Sequence, residues 1–391
     1  MTFSNRLAML ANIRKGEGPL VVWVLLFASL SITTELLGNT VAYALFLSTF
    51  DAQRLPYIYI GSSIVTTLLS LLYLRLSQRY SLAQLLIGQC GFILLTVVGY
   101  RIGLVFTTAP WFIFSLPIWD GVVSALIFAA FWSLVGRLFN LQQGKRLFGL
   151  FGAGQQIAIL LVGALVPVLV GRIGTINLLL MAALAGIGAL AALFHITRTF
   201  PLLQHAAQEE PETGADATAG QPVSSKNLLA EPYIRLIFAM YILYALGSYF
   251  VDNIFYTQVE SQWTNQDQLA GFLGIFNGVV GGLSLLSQLF LAPRLLSRYG
   301  VRTVILLTPA IVLGFITFFV LIGISSQLVL LLFWMAVSTN LFLQIADSSD
   351  NTAANLLYQP LPSALRTQTQ TTVDGIIAPV ATGLTGLILL W

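Results

Sequence analysis

The sequence predicts an all-α, polytopic membrane protein with eleven transmembrane helices. Of its 391 residues, 57% are hydrophobic and only 8% are charged, whereas a soluble globular domain has about 25% charged residues. The apolar residues form eleven runs, each about as long as the 20 or so residues that a helix needs to cross a bilayer. A repeat with a spacing of 219 to 220 residues predicts that the chain consists of two related halves.

The eleven runs follow one another with mostly short connections, so neighbouring helices are expected to be antiparallel. They lie near 19–49, 56–76, 82–105, 111–137, 147–170, 174–197, 233–257, 268–293, 301–323, 327–350 and 367–391. The exception is the polar and acidic segment 198–231, which has too few apolar residues to form a core and is predicted to be a disordered cytoplasmic linker. The predicted domains are therefore a six-helix half, 1–197, this linker, and a five-helix half, 232–391.

Two landmarks carry the repeat. The basic segment Arg75–Tyr80 has the pattern Arg-Leu-x-x-Arg-Tyr, which returns 219 positions later as Arg294–Tyr299. The second landmark is an arginine followed 17 residues later by a glycine, repeated at a spacing of 220: Arg146 and Gly163, then Arg366 and Gly383. Because both landmarks keep their separation to within one residue, they indicate a duplicated half.

The basic residues predict the orientation, since Lys and Arg accumulate on cytoplasmic loops. With a cytoplasmic amino terminus, only Arg54, Arg101 and Arg172 fall outside. The other 15 of the 18 fall inside: Arg6, Arg14, Lys15, Arg75, Arg79, Arg137, Lys145, Arg146, Arg198, Lys226, Arg235, Arg294, Arg298, Arg302 and Arg366. The corner residues Arg75, Arg79, Arg294 and Arg298 have two interpretations: they act in a cytoplasmic gate, or they only anchor the helices at the membrane surface.

Acidic residues within apolar runs are the main candidates for function, because each costs at least ~2.5–3.5 kcal/mol in a membrane. Glu35 is the deepest, and Asn39, four residues on, shares its helix face. Asp252 and Asn253 lie in the seventh run, the counterpart of the first. Such a carboxylate pairs with arginine, accepts hydrogen bonds or takes up a proton. Glu35 is therefore expected either to bind or couple a solute, or to be a structural carboxylate with satisfied hydrogen bonds.

Two further carboxylates have equally open roles. Asp120 follows a proline near the outer end of the fourth run, where it lies at the interface or lines a pore. Asp374, in the eleventh run, is a site residue or forms a structural ion pair with Arg366.

A glycine stripe in the eighth run predicts close helix packing. Gly274, Gly278 and Gly282 recur every four residues, so one face of the helix is smooth and lets a neighbour approach.

Several functional classes are disfavoured by the sequence. The net charge of +3 comes from scattered single basic residues, which disfavours nucleic-acid binding. The single cysteine, Cys90, cannot form an intramolecular disulfide. The sequence has no glycine-rich phosphate loop, no metal-ligand spacing and no Ser/His/Asp arrangement. We therefore expect neither an enzyme nor a bound cofactor or metal, and the expected partners are the lipid bilayer and a small-molecule substrate.

Specific segments of the chain resemble a known transporter family. The charged corners in a two-half chain with a long middle linker resemble the major facilitator superfamily. The turn Arg137–Gly154, in which Lys145-Arg146 runs into Leu147-Phe148-Gly149, is similar to a turn of the allied ATP/ADP translocase (nucleotide transporter) family. Tyr358–Pro362 and the following Thr372–Gly375 resemble that family's Tyr-x-Pro-Leu segment and Asp-containing helix.

The resemblance implies a major-facilitator-like bundle and secondary transport by alternating access, in which Arg137, Lys145 and Arg146 are candidates to meet a phosphate. Two departures affect the substrate. Gly38-Asn39-Thr40 stands where the translocases have Lys-Asp-Thr, and Thr367–Thr371 replaces a lysine-rich segment. ATP exchange therefore does not follow from the resemblance. Both proton-coupled transport and nucleotide or metabolite exchange stay open, and the alternative function is a non-transporting anchor or sensor module.

The sequences of segments 44–48 and 55–60 resemble those of bacterial members of this family. Those members carry HEAT-repeat or cyclic-nucleotide-binding regions on the carboxyl-terminal side of the membrane-spanning part. This similarity predicts a bacterial inner-membrane location. The sixth run should have a partner beyond Trp391, so a twelfth helix is expected to be missing and a cytoplasmic domain to follow it.

Overall fold

The computed structural model describes residues 14, 17–77, 79–139, 141–200, 231–323, 329–358 and 360–391. Every helix and turn assigned in this part belongs to a helical bundle, and eleven of its helices are long and apolar enough to cross a membrane. The predicted all-α class is therefore confirmed. Residues 201–230, which form most of the predicted linker, lie outside the described part.

We number the helices in chain order. They are α1 (Gly18–Thr49), α2 (Leu55–Ser77), α3 (Leu82–Phe106), α4 (Pro110–Leu138), α5 (Leu141–Ile173), α6 (Leu178–Thr199), α7 (Pro232–Gln262), α8 (Gln266–Leu286), α9 (Ala292–Gly323), α10 (Val329–Leu357), α11 (Ser363–Thr372) and α12 (Ala378–Leu389). A π-helical turn, Ser287–Leu291, joins α8 to α9, and another, Val373–Ile377, joins α11 to α12.

The repeated basic corners occupy equivalent places but turn the chain by different means. After α2, Ser81 caps α3: its hydroxyl accepts from the Gln84 N–H at 3.4 Å, and the Gln84 side chain accepts from the Ser81 N–H at 3.0 Å. This reciprocal pair is a capping box. In the second corner the chain breaks within α9 at Gly300, whose φ of 76° is a conformation that glycine adopts without steric cost.

The described residues form two compact units. Unit 1 contains residues up to Thr49, Tyr73–Glu209 and Asn265–Leu285, and unit 2 contains Phe50–Leu72, Glu210–Thr264 and Leu286–Trp391. Most of α2 therefore groups with helices of the second sequence half, and α8 groups with helices of the first. The predicted domain boundaries, 1–197, 198–231 and 232–391, stay a prediction.

Unit 1 is built around α1, which packs against α4, α5 and α6. Its core is apolar and includes the fully buried Phe27, Phe131 and Phe151. The start of α8 is tied to this unit by Asp267, whose carboxylate accepts from the Thr175 N–H at 3.0 Å and the Thr175 hydroxyl at 2.7 Å.

Unit 2 is built around α7, which packs against α10 and α12, while α9 packs against α10. One of its apolar clusters forms around Ile234 and Tyr358, and another around Val251. Glu260 near the end of α7 accepts a 2.7 Å hydrogen bond from the Ala52 N–H, which holds the segment that precedes α2.

Glycines let helices α5 and α8 cross closely in unit 1. Gly163 of α5 lies directly against Gly274 and Gly278 of α8, which confirms the predicted smooth stripe. The stripe continues through Gly281, where an added Cβ would lie 2.7 Å from the Leu160 nitrogen. At Gly282, which the sequence placed on the stripe, the added Cβ meets only the Leu160 side chain, at 3.3 Å.

The crossing of α2 and α12 in unit 2 is its repeat counterpart. A Cβ at Gly383 would lie 2.7 Å from the Ser63 hydroxyl, and one at Gly386 would lie 2.6 Å from the Pro56 carbonyl oxygen. Gly163 and Gly383 are the glycines that the sequence repeat aligns. Their repetition therefore has a packing cause, since each lets a helix of the other sequence half approach closely.

Candidate functional site

Two side-chain hydrogen bonds, one helical turn apart, join α1 and α4 within unit 1, and we call this pair the polar ladder. The Asn39 amide donates a 2.7 Å hydrogen bond to Asp120 Oδ2, and one helical turn deeper the Ser124 hydroxyl donates a 2.5 Å hydrogen bond to Glu35 Oε1. Asn39 and Glu35 are four residues apart, as are Asp120 and Ser124, so each pair shares a helix face. The structure thus brings together three of the residues singled out from the sequence.

Asp120 is a buried carboxylate in which only one of the two oxygens, Oδ2, accepts a hydrogen bond from a described residue. Its side chain is only 4% exposed and lies about 15 Å along α4 from Pro110, at 1.5 Å per residue. Both interpretations of Asp120, at the interface or lining a pore, stay predictions. Its Oδ1 atom is buried and has no hydrogen-bond partner among the described residues. The carboxylates of Asp120 and Glu35 are close enough to interact electrostatically.

Gly38, which stands where the translocases have a lysine, lies beside the Asp120 carboxylate. A Cβ at Gly38 would lie 3.5 Å from the Trp119 ring and 4.0 Å from Asp120 Oδ1. A side chain at this position therefore starts against the Trp119 ring, with Asp120 nearby. Glycine leaves the carboxylate with the neutral amide of Asn39 as its hydrogen-bond partner.

Unit 2 holds a second polar cluster, between α7 and α10. The Asn340 amide donates a 2.6 Å hydrogen bond to Asp252 Oδ1, and the Gln344 amide donates a 2.8 Å hydrogen bond to Asn340 Oδ1. Asp252 is partly accessible, whereas the amide nitrogen of Asn253, the next residue in the chain, is buried and has no hydrogen-bond partner in the described part of the chain.

Aromatic side chains lie beside Asp252. The rings of Tyr59 in α2 and Tyr249 in α7 have their centroids 4.8 Å apart, and the Thr382 hydroxyl donates a 3.1 Å hydrogen bond to the Tyr249 hydroxyl. The Tyr59 hydroxyl is buried, and none of the described residues forms a hydrogen bond with it. It is close enough to Asp252 and Tyr256 to interact with them electrostatically.

The two clusters are related by the sequence repeat. Asp120 and Asn340 are 220 positions apart, and so are Ser124 and Gln344. In both units a carboxylate pairs with an amide, but the carboxylate lies on α4 in unit 1 and on α7 in unit 2. Sequence reasoning missed Ser124, Asn340, Gln344 and the tyrosines, although the 220-residue offset applied to Asp120 and Ser124 indicates two of them.

The basic candidates lie away from these clusters. Arg75 is in the last turn of α2 and Arg79 follows it, while Arg294 and Arg298 precede Gly300, and all four are exposed. Arg137 is exposed in the last turn of α4. These positions suit anchoring at a membrane surface, and a role in gating stays a prediction. Lys145 and Arg146 belong to α5, but their side chains lie outside the described residues.

The eleventh predicted span contains Arg366 and Asp374, and the structure describes the side chain of Arg366 but not that of Asp374. Arg366 donates hydrogen bonds to the carbonyl oxygens of Tyr358, at 3.1 Å, and Leu361, at 3.2 Å. It therefore satisfies backbone groups where α10 ends. Asp374 lies in the π-helical turn that follows α11, and its side chain is outside the described part, so both interpretations of Asp374 stay predictions.

The chain is similar in sequence to a known protein family and to individual proteins. The sequence profile of the TLC ATP/ADP transporter family matches residues 107–388. The chain is 24% identical over 221 residues to ADP,ATP carrier protein 1 of Chlamydia muridarum, covering 53% of this chain and 41% of that protein. It is 26% identical over 227 residues to ADP,ATP carrier protein 1 of Chlamydia pneumoniae, covering 54% and 44%. The matches thus span about two fifths of the length of these relatives.

Solved structures share the fold. The nucleoside transporter NupG matches with a TM-score of 0.62 at 16% identity, over 94% of this chain and 90% of that one. A peptide transporter of the POT family matches with a TM-score of 0.62 at 12% identity, over 95% and 87%. At these identities the likeness shows the fold alone, which this chain shares with these two transporters. This confirms the fold expected from the resemblance.

The family match also confirms the predicted relationship, because it covers most of the membrane-spanning chain, including the Lys-Arg turn and the Tyr-x-Pro-Leu segment. The family is one of transporters and not of enzymes. Taken together with the shared fold, the match establishes that this multi-pass membrane protein belongs to the TLC ATP/ADP transporter family.

Proposed function

We propose that this chain is a secondary transporter of a small solute, that it works by alternating access, and that Glu35 takes up and releases a coupling proton. Family membership and the fold of secondary transporters favour transport over the alternative of a non-transporting anchor or sensor. The observation that carries the coupling role is the ladder between α1 and α4, which holds two carboxyl groups inside the membrane span.

The chemistry of the ladder suits a proton. Within the described residues neither Glu35 nor Asp120 has a basic partner; their hydrogen bonds come from Ser124 and Asn39. Two carboxylates held near each other in a low-dielectric span repel when both are charged, and one proton relieves that repulsion. Uptake of the proton and binding of the solute are then linked through the same side chains.

The test uses purified protein in liposomes that contain a pH-sensitive dye, with candidate solutes added outside. A transported solute should acidify the lumen of liposomes that contain the wild-type protein. Glu35→Gln, which keeps the shape and the bond with Ser124, should abolish acidification while exchange of labelled solute across the membrane continues. Wild-type acidification by Glu35→Gln would exclude Glu35 as the coupling group. Ser124→Ala is the matched control that keeps the carboxyl group and should retain coupling with a changed pH dependence.

A second candidate function is exchange of ATP and ADP, because the curated relatives are named ADP,ATP carrier proteins. Against it stands Gly38, because the translocases have at this place the lysine that would meet a phosphate. Uptake of labelled ATP into ADP-loaded liposomes tests this function. If uptake occurs, Lys145→Ala and Arg146→Ala should reduce it, because these residues are the phosphate candidates.

For the location, we propose a bacterial inner membrane with the amino terminus in the cytoplasm. The distribution of basic residues, 15 of 18 on one side, supports the orientation. The similarity to chlamydial proteins supports a bacterial membrane.

A further inference from the structure

An aromatic cluster of unit 2, formed by Tyr59 and Tyr249 beside Asp252, has a polar group that no described residue satisfies. The Tyr59 hydroxyl is buried and has no hydrogen-bond partner among the described residues. A buried polar group without a partner costs about 1–3 kcal/mol. A buried hydroxyl of this kind beside a carboxylate indicates that a bound molecule supplies the missing contact.

The charge of the cluster limits what that molecule can be. Asp252 accepts a hydrogen bond from the neutral Asn340 amide, and no cation pairs with it within the described residues. A carboxylate in a membrane span favours a positively charged partner. It repels phosphate groups.

The rings add a second preference for a cation. Tyr59 and Tyr249 lie with their ring centroids 4.8 Å apart, beside Asp252, and Tyr256 is within electrostatic range of the Tyr59 hydroxyl. The face of an aromatic ring carries negative charge and attracts cations within about 6 Å. Rings together with a carboxylate are the combination that recognises alkylammonium groups, which are too large and too weakly hydrated to need a full shell of oxygen ligands.

We propose that Tyr59, Tyr249 and Asp252 form a binding subsite for the ammonium group of an organic cation. The Tyr59 hydroxyl then bonds a polar atom of the same molecule. The identification of this cation as the transported solute rests on the proposed function, whereas its binding does not.

The test is binding to the purified full chain in detergent, with choline as the probe and 3,3-dimethylbutan-1-ol as its uncharged isostere. Affinity is measured by calorimetry and by thermal stabilisation at millimolar concentrations. Choline should bind and raise the unfolding temperature, whereas the isostere, which has the same shape without the charge, should bind at least about tenfold more weakly. Equal binding of the two compounds, or no binding of choline, would overturn the proposal.

Variants then locate the site. Asp252→Asn should weaken choline binding by at least about tenfold, the effect of losing one contact to a charged group. Its matched control is Asp347→Asn, which neutralises another tyrosine-bonded carboxylate of unit 2, since Tyr244 donates to Asp347 at 3.0 Å. This control should bind choline like the wild type. Unchanged affinity in Asp252→Asn would refute the assignment.

A second pair of variants separates the ring from its hydroxyl and guards against misfolding. Tyr249→Phe keeps the aromatic face and should bind choline within about twofold of the wild type, whereas Tyr249→Leu should bind severalfold more weakly. Equal affinity of these two variants would contradict a role for the ring. The binding and transport assays can give different outcomes. If choline binds in a manner that depends on Asp252 but the protein transports no solute, the subsite is supported and the proposed transport function is contradicted.

Discussion

The α5–α8 crossing predicts a defined cost for a single methyl group at Gly278. A Cβ at this position would lie 3.0 Å from the Ala164 nitrogen and 3.2 Å from the Gly163 carbonyl carbon, whereas ordinary contact begins at 3.4 Å. The obstacles are backbone atoms, which cannot rotate away, so α5 and α8 must separate by roughly half an ångström. Overpacking of this kind costs about 1–3 kcal/mol.

The higher helix propensity of alanine stabilises the Gly278→Ala variant and so opposes the cost of overpacking. The two effects have to be measured separately. Replacement of glycine by alanine inside a helix gains up to about 1 kcal/mol. Gly271 is the matched control, because it lies in the same helix and a Cβ there has nothing within 4 Å. Gly271→Ala therefore shows the propensity effect alone, and the difference between the variants isolates the crossing.

The assay is thermal unfolding of the purified protein in detergent, at one heating rate for both variants. With roughly 2–4 °C per kcal/mol for units of this size, Gly278→Ala should unfold about 2–12 °C below Gly271→Ala. If the two variants unfold at the same temperature, the helices separate without cost and the reasoning is refuted.

Two other predictions concern the polar ladder and the topology. Asn39→Ala removes the hydrogen bond to Asp120 and should destabilise the protein by about 1–3 kcal/mol, as measured by thermal unfolding. The double variant Asn39→Ala/Asp120→Asn should recover part of this loss. If Asn39→Ala is as stable as the wild type, the bond makes no structural contribution. In a background without the native cysteine, Arg79→Cys and Arg298→Cys should both react with an impermeant thiol reagent only from the cytoplasmic side, whereas Arg172→Cys should react only from outside. Labelling of the first two from opposite sides would refute both the orientation and the duplication.

Much of the fold could be predicted from the sequence because spanning a bilayer imposes a local requirement. The third run, predicted at 82–105, is a helix at Leu82–Phe106, and the ninth, predicted at 301–323, spans Arg298–Leu321. Length and hydropathy decide these boundaries without reference to distant residues. The grouping of α2 with α7 and α12 could not be predicted in this way, because it depends on close approach at Gly383 and Gly386, which the pattern of hydropathy does not record.

The candidate site was predictable only in part. Glu35, Asp120 and Asp252 are conspicuous in sequence because a carboxylate in an apolar run is costly. Their partners Ser124 and Asn340 are not, since single polar neutral residues are common in such runs. That Asn39 bonds Asp120 depends on the packing of α1 against α4, which sequence periodicity leaves open.

The placement of α2 in unit 2 also has a consequence for the order of synthesis. Ser63 of α2 donates a 2.6 Å hydrogen bond to the Pro379 carbonyl, 316 residues further along the chain. At 5–20 residues per second, a ribosome needs about 15–60 s to make that length. During this time α2 is already in the membrane without its final neighbour α12, and its serine hydroxyls can bond carbonyls of their own helix, as Thr67 does to Ser63. Unit 2 therefore completes its packing only when translation nears residue 389, while the contacts of α1 with α4, α5 and α6 can form much earlier.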